Sequence, residues 1–149
     1  ITSNLGLFSQ YRDPEGFIGS PVEGWISVHT SNQYMQGSDV AIILALDRDL
    51  IIGRLGLYAA TAYVNNQESR TYWLSGFAII DSYKTTGVGA MILLRALNVS
   101  KSLLASGGPS ADAQALYKAV GFQELGPLRR FVKFYNSEII FKKILKIIL

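Results

Sequence analysis

The sequence predicts a single domain of the α+β class, and two observations support this prediction. Residues 40–46, 50–64 and 70–80 are apolar, strand-like runs separated by short turns, which is typical of an antiparallel meander. After the meander, residues 90–97 and 110–121 have the composition and apolar faces of helices. The length of 149 residues is sufficient for one hydrophobic core.

The strands of the meander are bounded by turn-forming residues. Residues 47–49 (Asp-Arg-Asp) follow the first strand, and residues 65–66 (Asn-Asn) follow the second. Gly53 and Gly56 inside the second strand predict a bulge or a close approach of another element. Residues 1–37 are rich in Gly, Ser, Asn and aromatic residues and have poor helical periodicity, so we assign no element there.

A glycine-bearing turn joins the third strand to the first helix. Such a turn can hold phosphate, because the first N–H groups of a helix lack internal partners and the helix dipole is positive there. Glycine lets the backbone approach a ligand, and hydroxyl and ammonium groups add donors. An ordinary turn is the alternative interpretation. The candidate residues are Lys84, Thr85, Thr86, Gly87 and Gly89.

A second motif occupies residues 110–122. Ser110 can cap a short helix, Gly121 stands where that helix would end, and Phe122 begins a strand predicted to reach residue 135. A short apolar strand at residues 102–105 precedes the motif. The order is therefore strand, glycine turn, helix, strand, helix and strand.

Together, the two motifs resemble those of the GNAT family of acyl-CoA-dependent N-acyltransferases. That family carries Gln/Arg-x-x-Gly-x-Gly/Ala at its pyrophosphate loop and a later Asn-x-x-Ala-x-x-Leu-Tyr-x-x-x-Gly-Phe helix. This chain has Lys-Thr-Thr-Gly-Val-Gly at 84–89 and Ser-x-x-Ala-x-x-Leu-Tyr-x-x-x-Gly-Phe at 110–122. The resemblance covers roughly residues 40 to 135. It implies a GNAT-like acyl-CoA N-acyltransferase fold, in which helices flank a mixed central sheet made of an antiparallel meander and a parallel pair.

The resemblance also implies an activity, the transfer of an acyl group from an acyl-CoA, most commonly acetyl-CoA, to a primary amine by direct attack. Tyr117 would be the general acid, since a phenol with a pKa of about 10 can protonate a thiolate whose acid has a pKa of about 8.5. Packing at a helix end is the alternative for Tyr117. A non-catalytic module that binds acyl-CoA or a partner is the alternative for the chain.

The implied cofactor contacts lie on the third strand, the turn and the second motif. Gly76 could bend the strand and leave backbone groups free for pantetheine and for the thioester oxygen, whereas simple core packing is the alternative for Phe77 and Ile79. Ser110 replaces the family's asparagine, so a cap and a pantetheine contact are both open. The implied cofactor-binding residues are Phe77, Ala78, Ile79, Lys84, Thr85, Thr86, Gly87, Val88, Gly89, Ala90, Ser110 and Ala113.

Two features of the site stay open. Lys84 replaces the family's Gln or Arg and loses the planar fork of donors, so weaker binding of CoA and a degenerate member of the family remain possible. The general base is not assigned. The candidates by residue type are Asp39, Glu68, Asp81, Glu124 and His29.

Composition narrows the cofactors and partners. The net charge of +3 and the lack of a broad basic stripe argue against nucleic-acid binding. With one histidine and no cysteine, no metal site is expected, and a cysteine nucleophile is excluded. No signal peptide or membrane-spanning run is evident, so the cytoplasm is the expected location. The expected acceptor is a small-molecule amine, and similarity to a bacterial subgroup points weakly to an amino sugar.

Residues 137–149 predict a basic amphipathic helix. Lys142, Lys143 and Lys146 fall on one narrow face of it. Three interpretations stay open, in decreasing order of preference: packing on this or a following domain, a homodimer contact, and weak attachment to an anionic membrane surface. The sequence begins at Ile1 without a methionine, so a trimmed chain or a piece of a longer protein is also open.

Overall fold

The computed structural model describes residues 11–13, 27–29, 31–100 and 103–126. The strands form one sheet in the order β1-β2-β3-β4. The first three are antiparallel neighbours, and β4 is parallel to β3. The elements in chain order are β1 (Ile42–Asp47), β2 (Leu50–Val64), β3 (Gln67–Ile79), a 3-10 helix (Asp81–Tyr83), α1 (Val88–Ser100), β4 (Leu103–Ser106) and α2 (Ala111–Ala119). The predicted fold class, with its meander and parallel pair, is confirmed.

The predicted strand beginning at Phe122 is wrong in the part that the structure describes. Residues 122–126 have no regular structure. The Phe122 N–H donates to the Tyr117 carbonyl at 3.0 Å, and Gly121 has a φ of 96°. This is the arrangement of a helix C-terminus, so the cap uses the backbone donor that a strand ladder would need. Residues 127–135, the predicted helix at 137–149 and most of the first 37 residues lie outside the described ranges.

The core lies between one face of the sheet and α1. Alternate residues of β2 point toward α1, and Leu55 and Leu57 are buried there. α1 meets them with a face spaced as an amphipathic helix requires. The buried cluster consists of Ile43, Leu55, Leu57, Ala59, Tyr72, Leu74, Ile92, Leu93, Ala96 and Tyr117.

Gly53 confirms the expectation of a bulge and a close approach. The register between β1 and β2 shifts beside it, between Ala45 and Leu46. A Cβ at Gly53 would lie 2.7 Å from Cδ1 of Ile92 and 3.3 Å from Cγ1 of Val88. The missing side chain therefore lets α1 pack directly on β2.

A second bulge lies where β3 passes Leu55. Arg54 is opposite Ala78 while Gly56 is opposite Ser75, so β3 holds one more residue than β2 across this interval. Gly76 has a φ of 58°, which glycine adopts without the steric cost of a Cβ. The predicted bend at Gly76 is thus present, and it sets the direction of every side chain that follows in β3.

A buried polar network fixes the loop that precedes β1. The carboxylate of Asp39 accepts the Tyr72 hydroxyl at 2.5 Å and the Gln36 N–H at 2.7 Å, and it forms an ion pair with Arg70. Arg70 also donates to the Tyr34 carbonyl at 3.2 Å. Burial raises the pKa of Tyr72, and its bond to Asp39 adds to this effect. Since the buried charge is paired and hydrogen-bonded, the loop is held in one position on the sheet.

No helix in the described part of the chain is long and apolar enough to cross a membrane.

We expect Gly89→Val to lower the free energy of unfolding by about 1–3 kcal/mol, because overpacking a close helix–sheet contact forces neighbours to move. A Cβ at Gly89 would lie 2.8 Å from Cδ1 of Ile79 and 3.0 Å from Cδ2 of Leu116. Gly37→Val is the matched control, because a Cβ at Gly37 has no atom within 4 Å. Urea unfolding of both variants measures the difference, and equal losses would contradict the packing argument.

Candidate active site at the fork of the sheet

The sheet opens where β4 ends. Residues 71–74 of β3 pair with residues 103–106 of β4, and the last pair is Leu74 with Ser106. β3 continues to Ile79, whereas the chain after Ser106 turns through Gly107 and Gly108. We call this opening, between residues 75–79 of β3 and residues 106–110, the fork. Five residues of β3, about 16 Å at strand rise, therefore extend beyond the parallel ladder.

The bulge orients the fork's β3 side. Because it adds one residue, Phe77 and Ile79 face α1, as Tyr72 and Leu74 do before it. The Phe77 ring stacks on Tyr117 with 6.0 Å between centroids. Core packing of these side chains is thus observed. The cofactor contacts predicted for these residues involve main-chain atoms, so packing of the side chains in the core is compatible with them.

The N-terminus of α1 lies at the end of the fork. Its first helical bond runs from the Met91 N–H to the Gly87 carbonyl at 3.1 Å. The N–H groups of Val88, Gly89 and Ala90 precede that bond, and helix geometry gives such groups no intrahelical acceptor. The first turn of α1 contains no acidic residue. Gly87 is exposed with a φ of 83°, so the turn presents backbone donors to solvent without a side chain above them.

Two polar side chains of the turn, those of Lys84 and Thr86, already have partners within the protein. Lys84 Nζ lies 2.7 Å from Oδ1 of Asp81, and both side chains are exposed. This pair lowers the pKa of Asp81 and raises that of Lys84. Exposed pairs of this kind contribute little, so the ammonium can exchange the carboxylate for a phosphate. The Thr86 hydroxyl donates to the Tyr83 carbonyl at 2.7 Å, so it serves the turn, and both Thr85 and Thr86 are exposed.

Gly89 has a packing role that its spacing in the motif did not indicate. It is buried, and its missing Cβ makes room for Ile79, Leu116 and Phe77. The residue therefore allows the first turn of α1 to approach β3 and α2. Contact of Gly87 and Gly89 with a ligand stays a prediction.

Tyr117 lies where the fork begins, beside the end of β4. It is 6% exposed, and its ring is stacked between Phe77 and Phe122, the latter with 5.0 Å between centroids. Burial raises the pKa of its phenol, and a hydrogen bond with the Ser106 side chain acts in the opposite direction. The phenol is therefore protonated at neutral pH and held beside the last residue of β4. The sequence indicates only that Ser106 lies in a turn that could line the cofactor's path or simply connect two elements, and its hydrogen bond with Tyr117 appears only in the fold.

Ser110 acts as the N-cap of α2. Its Oγ accepts the Ala113 N–H at 3.3 Å, which satisfies one donor of the first turn. Of the two interpretations left open for Ser110, the cap is observed. Contact of Ser110 or Ala113 with pantetheine stays a prediction.

Three of the candidate bases are engaged elsewhere. Asp39 belongs to the buried network, Asp81 pairs with Lys84, and Glu124 lies 3.4 Å from the Lys118 ammonium. For Asp81, the pair with Lys84 lowers the pKa of the carboxyl and so makes it a weaker base. None of them is assigned as the base.

The other two candidates differ in exposure, since His29 is buried and Glu68 is exposed. His29 is buried with its ring 5.8 Å from that of Tyr58, and burial lowers its pKa. Glu68 borders a polar cavity of about 260 Å³ near the start of β3, some six strand residues before the fork, or about 20 Å. The cavity is lined by Gln33, Tyr34, Gln36, Ala60, Thr61, Glu68 and Arg70.

The described residues hold no group of three or more His, Cys, Asp or Glu side chains able to bind a metal.

No family model matches the sequence, and no curated protein does. Solved structures do match. An aminoglycoside 6'-N-acetyltransferase from Acinetobacter haemolyticus is 19% identical with a TM-score of 0.56, covering 89% of this chain and 90% of that one. The aminoglycoside acetyltransferase AAC(6')-Iy, in complex with the bisubstrate analogue CoA-S-monomethyl-acetylneamine, is 17% identical with a TM-score of 0.59, covering 83% and 95%.

The chain has a GNAT-like acetyltransferase fold. A transcriptional regulator from Bacillus halodurans shares it, with 17% identity, a TM-score of 0.59 and coverage of 75% and 74%. At such identities the likeness establishes the fold, whereas the activity has to be argued from the fork.

Tyr117 is expected to ionise above its ordinary pKa of about 10, because its charged form would be buried. Spectrophotometric titration of the parent and of Tyr117→Phe isolates this phenol by difference. Ser106→Ala should raise the midpoint further, because the Ser106 hydrogen bond lowers the pKa. A midpoint that does not change in Ser106→Ala would show that the two hydroxyls do not interact.

Proposed function

We propose that this chain is an acyl-CoA-dependent N-acyltransferase that uses acetyl-CoA and a small-molecule amine. One observation carries the proposal: the exposed N-terminus of α1, the end of β3 beyond its pairing with β4 and the buried phenol of Tyr117 converge on the fork. These three features match the three parts of a thioester substrate, which are a pyrophosphate, an amide-bearing arm and a sulfur leaving group.

Binding would use backbone groups along one continuous track. The N–H groups of Val88, Gly89 and Ala90, with the Lys84 ammonium, are suited to the pyrophosphate. The edge of β3 at residues 75–79 is suited to the amides of pantetheine, which would continue the sheet as a strand does. The edge and the helix terminus are consecutive in the chain, so one extended molecule can contact both.

The chemistry needs an acyl carbon held for attack and a proton for the departing sulfur. A backbone N–H at the bulge would polarise the thioester carbonyl as the amine attacks. The C–S bond then breaks, the acyl group stays on nitrogen, and the Tyr117 hydroxyl delivers its proton to the thiolate. The amine loses one proton to water before it attacks and a second as the amide forms, and the Tyr117 phenolate regains its proton from solvent. Burial keeps Tyr117 protonated, which is the form that this step requires.

The acceptor is proposed to be an amino sugar. The supporting observation is that two of the similar structures are aminoglycoside 6'-N-acetyltransferases whose lengths are covered to 90% and 95%. The transcriptional regulator among the similar structures supports the fold alone. Binding of acyl-CoA without turnover is the competing function, and a substitution at Tyr117 distinguishes the two.

Gly87→Glu should abolish acetyl-CoA binding measured by calorimetry. The new carboxylate would stand at the proposed pyrophosphate site, and the left-handed backbone at φ 83° would be strained. Gly126→Glu is the matched control, because its φ is 97°, no atom lies within 4 Å of its Cβ position and it adds the same charge. Loss of binding in both variants would refute a site at the turn, and no binding by the parent would refute the function.

Tyr117→Phe should lower the rate of acetyl transfer about a hundredfold while the Kd for acetyl-CoA stays within about twofold. The ring packing against Phe77 and Phe122 remains, so only the hydroxyl is lost. Steady-state kinetics with neamine as the probe amine and calorimetry with acetyl-CoA measure the two quantities. Binding without turnover by the parent would favour the non-catalytic module. Unchanged turnover in the variant would exclude Tyr117 as the acid.

A further inference from the structure

Trp73 is a large aromatic residue in an interior strand, yet it is 38% exposed. Its strand, β3, lies between β2 and β4, and its cross-strand partners are Tyr58 and Ala105. A single exposed aromatic is common on protein surfaces. Trp73 differs from such residues in its position and in the contact that holds its ring.

Trp73 lies where the fork begins, on the face of the sheet away from α1. The last pair of the parallel ladder is Leu74 with Ser106, and Trp73 precedes it by one residue. Tyr72 and Leu74 belong to the core beneath α1, as does Tyr117. Strand alternation therefore places the Trp73 indole on the opposite face.

The indole is packed against the turn that follows β4. A Cβ at Gly107 would lie 2.7 Å from Cζ2 and 3.5 Å from Cη2 of Trp73. Residue 107 thus lacks a side chain where the ring edge lies, and the backbone of the turn supports the ring. This contact fixes the indole while leaving part of its surface open to solvent.

Under the proposed function, the cofactor and the acceptor amine use different faces of the fork. The N-terminus of α1 and Tyr117 lie on one face, which is the side of the pyrophosphate and of the general acid. Because the amine adds to the thioester carbon from above or below the plane of the carbonyl, the acceptor needs a side that the cofactor and Tyr117 leave open, and the other face of the fork is such a side. On that other face, Trp73 is the exposed aromatic residue beside the last pair of the ladder.

We propose that Trp73 is a specificity-determining residue, on whose indole face a protonated amino sugar binds; this inference rests on the proposed function. An amino sugar offers an apolar ring face for stacking and an ammonium group for a cation–π contact, and tryptophan is the strongest aromatic partner for a cation. The indole selects cationic ring-bearing amines, and it takes no part in proton transfer.

The test is calorimetry with neamine and, separately, with acetyl-CoA. Trp73→Leu is expected to weaken neamine binding about tenfold or more, and Trp73→Phe less than that, because a smaller ring retains part of the contact. Tyr63→Leu is the matched control, since Tyr63 is 72% exposed and lies near the β2–β3 turn, away from the fork. The Kd for acetyl-CoA is expected to stay unchanged in all three variants, which also shows that they fold.

A direct readout uses tryptophan emission. The chain has two tryptophans, so Trp25→Phe leaves Trp73 as the only reporter. Its emission is expected to change with neamine concentration, at the same midpoint as calorimetry gives. Neamine affinity that is equal in the parent and Trp73→Leu would overturn the proposal. A parent that binds acetyl-CoA but not neamine would overturn it too, whereas a parent that does not bind acetyl-CoA overturns the proposed function.

Discussion

The short pairing of β4 with β3 is the constraint on which the site depends. Four residues of β3 are paired with β4, and the strand then continues past the bulge at Gly76 with β2 as its neighbour among the described strands. The added residue keeps Phe77 and Ile79 on the face of α1, so the core stays closed while the β3 edge stays open. Without the bulge, Phe77 and Ile79 would point away from α1.

Because of this geometry, the two faces of the fork suit different parts of the reaction. One face combines a helix N-terminus free of acidic residues with a phenol whose pKa burial raises, which suits a polyanionic thioester and its leaving group. The other face presents the indole of Trp73, held by the turn at Gly107. The buried Asp39–Arg70–Tyr72 network joins the stretch of β3 just before the fork to the loop that precedes β1, and its role is to hold that loop.

The parts of the fold that follow local rules could be predicted from sequence. The bounds of β2 were predicted correctly, because turn-forming residues flank a continuous apolar run. Phe122 was misassigned, since its apolar side chain packs back on Tyr117 and its N–H completes a helix cap. Ser106 and Trp73 could not be found in the same way, because their importance comes from strand register, which depends on contacts between distant segments.

The most direct test is to record amide NMR spectra of the chain during a titration with acetyl-CoA. The account predicts that the largest shift changes occur at residues 75–79 of β3 and 87–90 at the start of α1. The amides that line the polar cavity near Glu68 are expected to change little. Changes centred on that cavity, with the fork unaffected, would contradict the assignment of the cofactor to the fork.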